Sequence, residues 1–579
     1  MPDPVSKYME FWTGGMNTLL YPTNIAPAQY HYGENILCRG GIPQTRPGLR
    51  LRAYLPGSKL QGFTHFQQIS GSPQLVVAID GLIYTASYPY ADFVQIQGIS
   101  FDPDSEIVTF ADCVKSVLRN PDGSLKVINP YRVLVIQDGV SRAGYWDGSK
   151  ANTLDPQPPY YGTPTGLWMK WTSSRLWVAR GSQIFVSDYA DPLTFNENTI
   201  IAERSNFDLP DECTGLIETS DERNLLAFTR RTTTSFQSSI RDRRQWQTTP
   251  QFQQVLIPKV GCVSGRSPIN AFGLTWWFSE EGWIDLNSAL FTLRDSQLTT
   301  RDTEMMRSKR NLGSQLQRIC SGWFENIVLV SVPSGDAYNA HTWVFDQSIA
   351  DQLTQDSPPA WASIWTGFRP VEWTTVSVMG RNRVFCAGFD QTAYNQSYIH
   401  IWEAFQDDRE DRMNRIQCQW ETRSELISSR LVKFRYAELD LVEVLGDVNL
   451  RVYYAGLKGP YELIGEYYFQ AEKGSIGSVN QQIINLDTML QAYKPQTRTI
   501  KTKDVGSDSP EGEVCVESER PSNVDKSFSI LCEWEGRMGI RGIRIVCEPV
   551  EESEQGECEH GDETGSHQIV LETGQGVAA

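Results

Sequence analysis

Histidine is scarce in this chain of 579 residues: there are six, at positions 31, 65, 341, 400, 560 and 567, and no H-E-x-x-H pattern accompanies them. Zincin-type metal hydrolysis is thereby excluded. The 11 cysteines include no C-x-x-C pair, which removes the two-pair zinc frames as well. An odd number of cysteines, scattered from Cys38 to Cys558, reads as free and mostly buried thiols, and implies a reducing cytosol. No window approaches 18 consecutive apolar residues, so no membrane-spanning helix or membrane insertion is expected. The opening MPDPVSKYMEFW lacks the basic and apolar regions of a signal peptide. Also missing are a G-x-S-x-G nucleophile elbow and a phosphate cradle, since GYWDGSK has the wrong glycine spacing, and the sialidase box S-x-D-x-G-x-T-W does not recur. The lone Trp146-Asp147 pair reads as a strand end. No enzyme, catalytic residue, metal or cofactor is expected.

Positive charge is equally thin. With 52 Lys and Arg against 70 Asp and Glu, the net charge is −18, and no Lys or Arg follows Arg544 while nine acidic residues do. Nucleic-acid affinity comes from neutralising phosphates, so tight, sequence-reading DNA binding is excluded. Within that acidic tail, Cys558, His560 and His567 are the one mixed metal-ligand cluster, against which a plain solvated segment is the better reading.

What the chain does have is aromatic and turn-forming residues: 17 Trp, 23 Tyr, 24 Phe, 45 Gly and 30 Pro. These favour an all-β fold with many turns. One unit recurs, an apolar run, a turn and a second apolar or aromatic run, as in LVVAIDGLIY, RLWVARGSQIFVS and LTWWFSEEGWIDL. Asp80-Gly81, Asp138-Gly139, Arg180-Gly181 and Glu281-Gly282 supply the glycine that a tight hairpin needs. With Val77, Val135, Trp177, Leu226, Phe278, Leu329 and Phe385 as equivalent anchors, the gaps are 58, 42, 49, 52, 51 and 56 residues. Four-stranded blades have that spacing, which predicts a β-propeller of six or seven blades rather than an irregular pair of sandwiches.

The organisation expected is an N-terminal arm or platform segment over 1–60, a propeller over 61–410, and a C-terminal β-sandwich or platform over 411–579 that ends in the acidic segment. In the last of these, FRYAELDLVEV alternates as a half-buried antiparallel strand does. Segment 500–526 reads as a loop, and Arg301–Ile319 as the best helix.

Two surface features invite a functional reading. Arg230, Arg231, Arg241, Arg243 and Arg244 form the one basic cluster, a candidate channel or interface loop, whether touching DNA phosphates or pairing acidic neighbours across a subunit boundary. Trp361, Trp365 and Trp373 are candidate aromatics for a glycan-binding or glycan-cleaving propeller.

The segment FWTGGMNTLLYPTNIAPAQYHYGENILCRGGIPQTRPGLR carries Gly14, Gly15, Pro22, Gln29, Asn35, Gly41, Arg46, Pro47 and Gly48 in an order that resembles the opening of tail nozzle proteins, or tubular tail protein B, of short-tailed bacteriophages. RLWVARGSQIFVSDYADPLTF and GCVSGRSPINAFGLTWWFSEEGWIDL look like two blades of that family. The resemblance implies a propeller with an added platform, a homo-hexameric ring below a tail adaptor ring, fibre, spike or needle proteins as partners, and passage of viral DNA without specific binding. It implies a virion tail protein assembled in the host cytoplasm, with the nine residues forming an assembly arm. The rival expectations are a glycan-directed tail component and a head-completion or tail-hub plug.

Overall fold

A computed structural model describes residues 4–18, 20–119, 124–157, 161–196, 206–280, 282–291, 315–333, 338–347, 361–390, 398–406, 410–411, 414–457, 459–469, 496–502 and 523–550. Six small sheets and a four-stranded meander drawn from a larger sheet stand in a ring, giving seven blades of a β-propeller. Blade 1 runs from Leu60–Phe66 to Val94–Gln95, blade 2 from Thr109–Arg119 to Ala151–Thr153, blade 3 from Trp168–Thr172 to Asn206–Asp208, and blade 4 from Cys213–Glu218 to Gln253–Ile257. Among the described residues blade 5 has three strands, from Ile269–Ala271 to Gly282–Asp285; blade 6 runs from Cys320–Phe324 to Trp361–Trp365.

The second strand of each blade explains the ring. LVVAI at 75–79 and LLAF at 225–228 have no polar alternation, so both faces must be covered. They are: Val76 and Ala78 join an apolar cluster with blade 2, while Leu75, Val77 and Ile79 join one with blade 7. Likewise Leu225 and Ala227 meet blade 3, and Leu226 and Phe228 meet blade 5. Each blade seam has apolar packing of this kind, including the seam of blades 5 and 6 through Trp276, Phe278 and Phe345. All seven anchors named above sit on these second strands. Six point toward the following blade and Val77 alone points back, so the equivalent position in blade 1 is one residue away; a period of two turns a single-residue slip into a change of face. At the Asp80-Gly81 turn both residues have positive φ, 47° and 80°, and a Cβ on Gly81 would lie 2.5 Å from the Phe101 carbonyl oxygen. Only glycine fits there.

Blade 7 takes three strands from Phe368–Val378, Arg381–Asp390 and Tyr398–Gln406, and its outermost strand from the other end of the chain, Gly48–Pro56, with Ala53 opposite Ile401. Glu403, fully buried, pins this closure: it accepts from Arg52 on the closing strand and from Arg383 Nη1 at 2.7 Å on the next strand in.

The segment 1–60 is therefore not one arm. Its last strand belongs to the propeller, and its earlier strands enter the platform: Val5–Glu10 pairs with Ser527–Pro549, Ile42–Thr45 touches the same strand, and Tyr32–Glu34 pairs with Gln417–Glu421. Tyr32–Glu34 also pairs in parallel with the outer strand of blade 6, so blade 6 and the platform share one hydrogen-bonded sheet. No sequence window marks this, because the partners lie hundreds of residues away.

The platform is built on two long antiparallel strands, Val432–Gly456 and Ser527–Pro549. Their register shifts repeatedly between Val442 and Asn449, beside Gly446 (φ 70°) and Gly536 (φ 108°). At that bulge the pair bends over on itself, as bulged strands do. Phe434 near the start of one strand consequently stacks on Tyr454 near its end, with centroids 4.4 Å apart. Two strands thus supply both layers of a sandwich. The predicted helix lies, up to residue 314, outside the described residues, as does 503–522 of the predicted loop; Gln496–Lys501 is a strand at its edge.

Replacing Glu403 by Gln leaves two arginines without their shared carboxylate and is expected to destabilise the chain by about 3 kcal/mol, the low end for a broken buried pair because both guanidinium groups keep some solvent. Urea midpoints of wild type and variant measure it; an unchanged midpoint would show that the closing strand does not depend on this contact.

Candidate assembly site

The motif residues of the N-terminal segment collect where blade 6, blade 7 and the platform meet. Asn35 sits at φ 54°, a conformation asparagine tolerates better than most residues. Its side chain donates to Thr366 Oγ1 (2.8 Å) and to the Gln417 carbonyl (2.9 Å), and its oxygen accepts from Arg46 Nε (2.9 Å) and from the Thr366 amide (2.9 Å). That is the full hydrogen-bonding complement of an amide, spent on three separate segments. Arg46, 2% exposed, lies against the rings of Trp365 and Phe368 at 5.4 and 5.5 Å and donates to the carbonyls of Pro47 and Thr366. Only a planar guanidinium both stacks and donates in this way.

A second contact joins Gly14 and Gln29. Gly14 donates to the Ala28 carbonyl, Gln29 Nε2 donates back to the Gly14 carbonyl at 3.1 Å, and a Cβ on Gly14 would lie 2.6 Å from Gln29 Cγ. The Gly15 carbonyl accepts from the Tyr30 amide, and the Tyr30 hydroxyl reaches the Ala362 carbonyl in blade 6. The carbonyls of Pro22 and Gly41 accept from Ser424 and Trp12, and Trp12 packs edge-on to Trp420 at 4.5 Å. Gly48 opens the closing strand. Asn35 and Arg46 thus meet directly, while the others fasten the same segment at separate points. Thr366 and Gln417, which complete the joint, carry no sequence signal of their own.

The arginine cluster does not hold together. Arg230 and Arg231 occupy the hairpin tip before Thr233–Phe236, where both approach Glu280, Arg230 at 2.5 Å. The other three lie beyond the far end of that strand, which spans roughly 13 Å. Arg243 is 2% exposed and donates to the carbonyls of Val186 and Ser187, both at 2.7 Å, over the Trp246 ring. It is a seam residue, not a phosphate contact. Trp361, Trp365 and Trp373 are all buried among core residues and present no ring to a glycan. Cys558, His560 and His567 lie outside the described residues. The nine described cysteines are free and buried, and burial pushes the thiols of Cys213, Cys262 and Cys320 up to about 12, which keeps them unreactive.

The propeller channel is crossed by side chains at one mouth. Arg266, in the loop leading into blade 5, donates to the Gln61 carbonyl of blade 1 and lies 3.6 Å from Glu372 of blade 7, whose carboxylate accepts from the Phe63 amide. Burial raises the Glu372 pKa, against the opposing pull of Arg266 and that amide. Lys59 and Arg318 both pair with Glu106, linking the approaches to blades 1, 6 and 2. A passage spanned by single side chains does not admit a duplex, which is wider than its own major groove of about 12 Å. Farther along, His65 Nδ1 lies 2.8 Å from Thr374 Oγ1, and Glu218 accepts from Thr172. These groups are spread over different seams and do not converge on one reacting point. Within the first blade motif, Asp191 pairs with Lys115 of blade 2 at 2.6 Å, both buried. Compared with protein-family models and with curated proteins, the chain matches none.

Asn35→Ala is expected to cost about 3 kcal/mol, from four lost hydrogen bonds and a positive φ that alanine resists. Asn35→Gly relieves the φ term alone, so its urea midpoint should fall between alanine and wild type; equal midpoints for all three would remove Asn35 from the joint. A pH effect follows from His65, whose pKa burial lowers to about 4, with Arg132 adding to it. The unfolded histidine takes up its proton near pH 6.5 while the folded one stays neutral, so this contribution is intact above pH 6.5 and falls as pH drops toward 4. His65→Gln should flatten the midpoint-against-pH curve between pH 7 and 5; curves of equal slope would contradict it.

Proposed function

We propose that the chain is a structural protein of a virion, a nozzle subunit at the distal end of a short phage tail. One observation carries the reading: the segment that resembles the nozzle opening fastens a propeller to a platform, with Asn35 and Arg46 at the joint and its other motif residues holding it at separate points. A segment that fastens two domains this way does its work by holding shape. The crossed mouth of the propeller channel adds a restriction. Viral DNA passes through a lumen enclosed by six copies, not through the centre of any one propeller, and with −18 on each copy the lumen wall offers phosphates little to hold. An adaptor ring above and fibre, spike or needle proteins below are its partners in this reading.

Image reconstruction of the particle that contains this chain tests it. Six copies around the tail axis, with propeller channels off the axis, are expected. Three peripheral copies would point instead to a fibre or spike, and a duplex threaded through a propeller would overturn the assignment of the path.

A further inference from the structure

The platform has an open polar face that the joint touches only at its edge, through Glu34 and the backbone carbonyl of Gln417. Across five strands the register lines up Glu34, Gln419, Glu533, Arg451 and Glu466 in one row, and Gln417, Glu535, Asn449 and Tyr468 in the next. The reverse of these strands carries Trp420, Cys532 and Val452 into the core. Between the rows lies a groove of about 400 Å³, within the range of small-ligand sites.

Its hydrogen-bonding capacity is partly unspent. Glu34 accepts from Tyr32 and Thr366, Glu533 accepts from Tyr453, Arg451 is held by Glu466 at 3.0 Å, and Asn449 donates to Glu466 at 3.4 Å. Among the described residues the side chains of Gln417, Gln419 and Glu535 have no hydrogen-bond partner. An apolar ligand would leave these groups buried and unpaired. Amides that both donate and accept, beside carboxylates that accept twice, suit vicinal hydroxyls. Tyr468, 57% exposed, lies just past the groove's lining, opposite Asn449 at the end of its row, and offers a flat ring for the apolar face of a sugar that extends beyond the groove. The row from Gln417 to Tyr468 crosses three strand spacings, roughly 14 Å. Glu34, Glu533 and Glu535 outnumber the one arginine, which repels an anionic ligand.

We propose that this groove binds an uncharged oligosaccharide laid along the Gln417–Glu535–Asn449–Tyr468 row. The site is independent of the nozzle reading and needs no metal. Titration calorimetry of the full chain with N-acetylated chitotetraose, maltotetraose, tetragalacturonate and an oligolysine tests it. Saturable binding of at least one neutral tetrasaccharide is expected, none of tetragalacturonate, and at least a tenfold weakening in Asn449→Ala and in Tyr468→Ala, with melting temperatures unchanged to show that both variants fold. Failure of both neutral sugars to bind, or binding that survives both substitutions, overturns the proposal. So does oligolysine that binds and displaces the sugar, which would make the face a dock for basic peptide.

Discussion

Backbone pairing between Gly48–Pro56 and Tyr398–Gln406 is the contact that turns seven open meanders into a ring. Each blade is apolar on both faces and needs two neighbours; without closure, the cluster of Leu75, Val77 and Ile79 with Phe385 and Ala387 would face water at both ends of the row. The same stretch of chain then continues backward into the platform, so closing the ring and attaching the second domain are one event structurally. The bent strand pair of the platform gives that stretch an edge to pair with, and Asn35 and Arg46 hold it where the three parts meet.

Ionised groups concentrate at these joints. Glu403 sits between two arginines at the closure, Lys115 and Asp191 join blades 2 and 3, and Arg266 reaches Glu372 over the channel mouth. Buried pairs of this kind add little net stability over apolar packing, but a wrong partner leaves a charge unmatched. Only Lys115 and Asp191 cross a seam between adjacent blades; the Glu403 contacts lie within blade 7 and the Arg266–Glu372 contact reaches from the loop before blade 5 to blade 7.

The propeller was legible because its signal is local. Apolar runs separated by glycine turns repeat at blade spacing, and the anchors from Val135 to Phe385 fall on equivalent positions; the single slip, at Val77, comes from a run so uniformly apolar that its two faces read alike. The joint was half legible. The order of Gly14, Gln29, Asn35 and Arg46 marks the segment, but an extended stretch rich in proline looks the same whether it hangs free or pairs with strands 400 to 500 residues away. Trp361, Trp365 and Trp373 looked like binding aromatics since a buried and an exposed tryptophan are identical in sequence. The polar face was invisible for a related reason: Glu34, Gln419, Glu533, Arg451 and Glu466 become neighbours only through the register of five strands.

The pairing of Val5–Glu10 with the strand Ser527–Pro549 has a consequence for biosynthesis. Val5–Glu10 is among the last strands to find a partner, because the strand it pairs with is made some 500 residues later. At about 5 to 20 residues per second that interval is roughly 25 to 100 seconds. For roughly 350 residues of that interval Gly48–Pro56 also waits for blade 7, with its backbone donors and acceptors open to any passing edge. Blades 1 to 4 can collapse in order as they emerge, whereas the ring closes only once Tyr398–Gln406 is made and the platform only once Ser527–Pro549 is made. In a polysome, where several nascent chains display the same waiting strand beside one another's half-built sheets, exchange of that strand between chains is the fold's characteristic hazard.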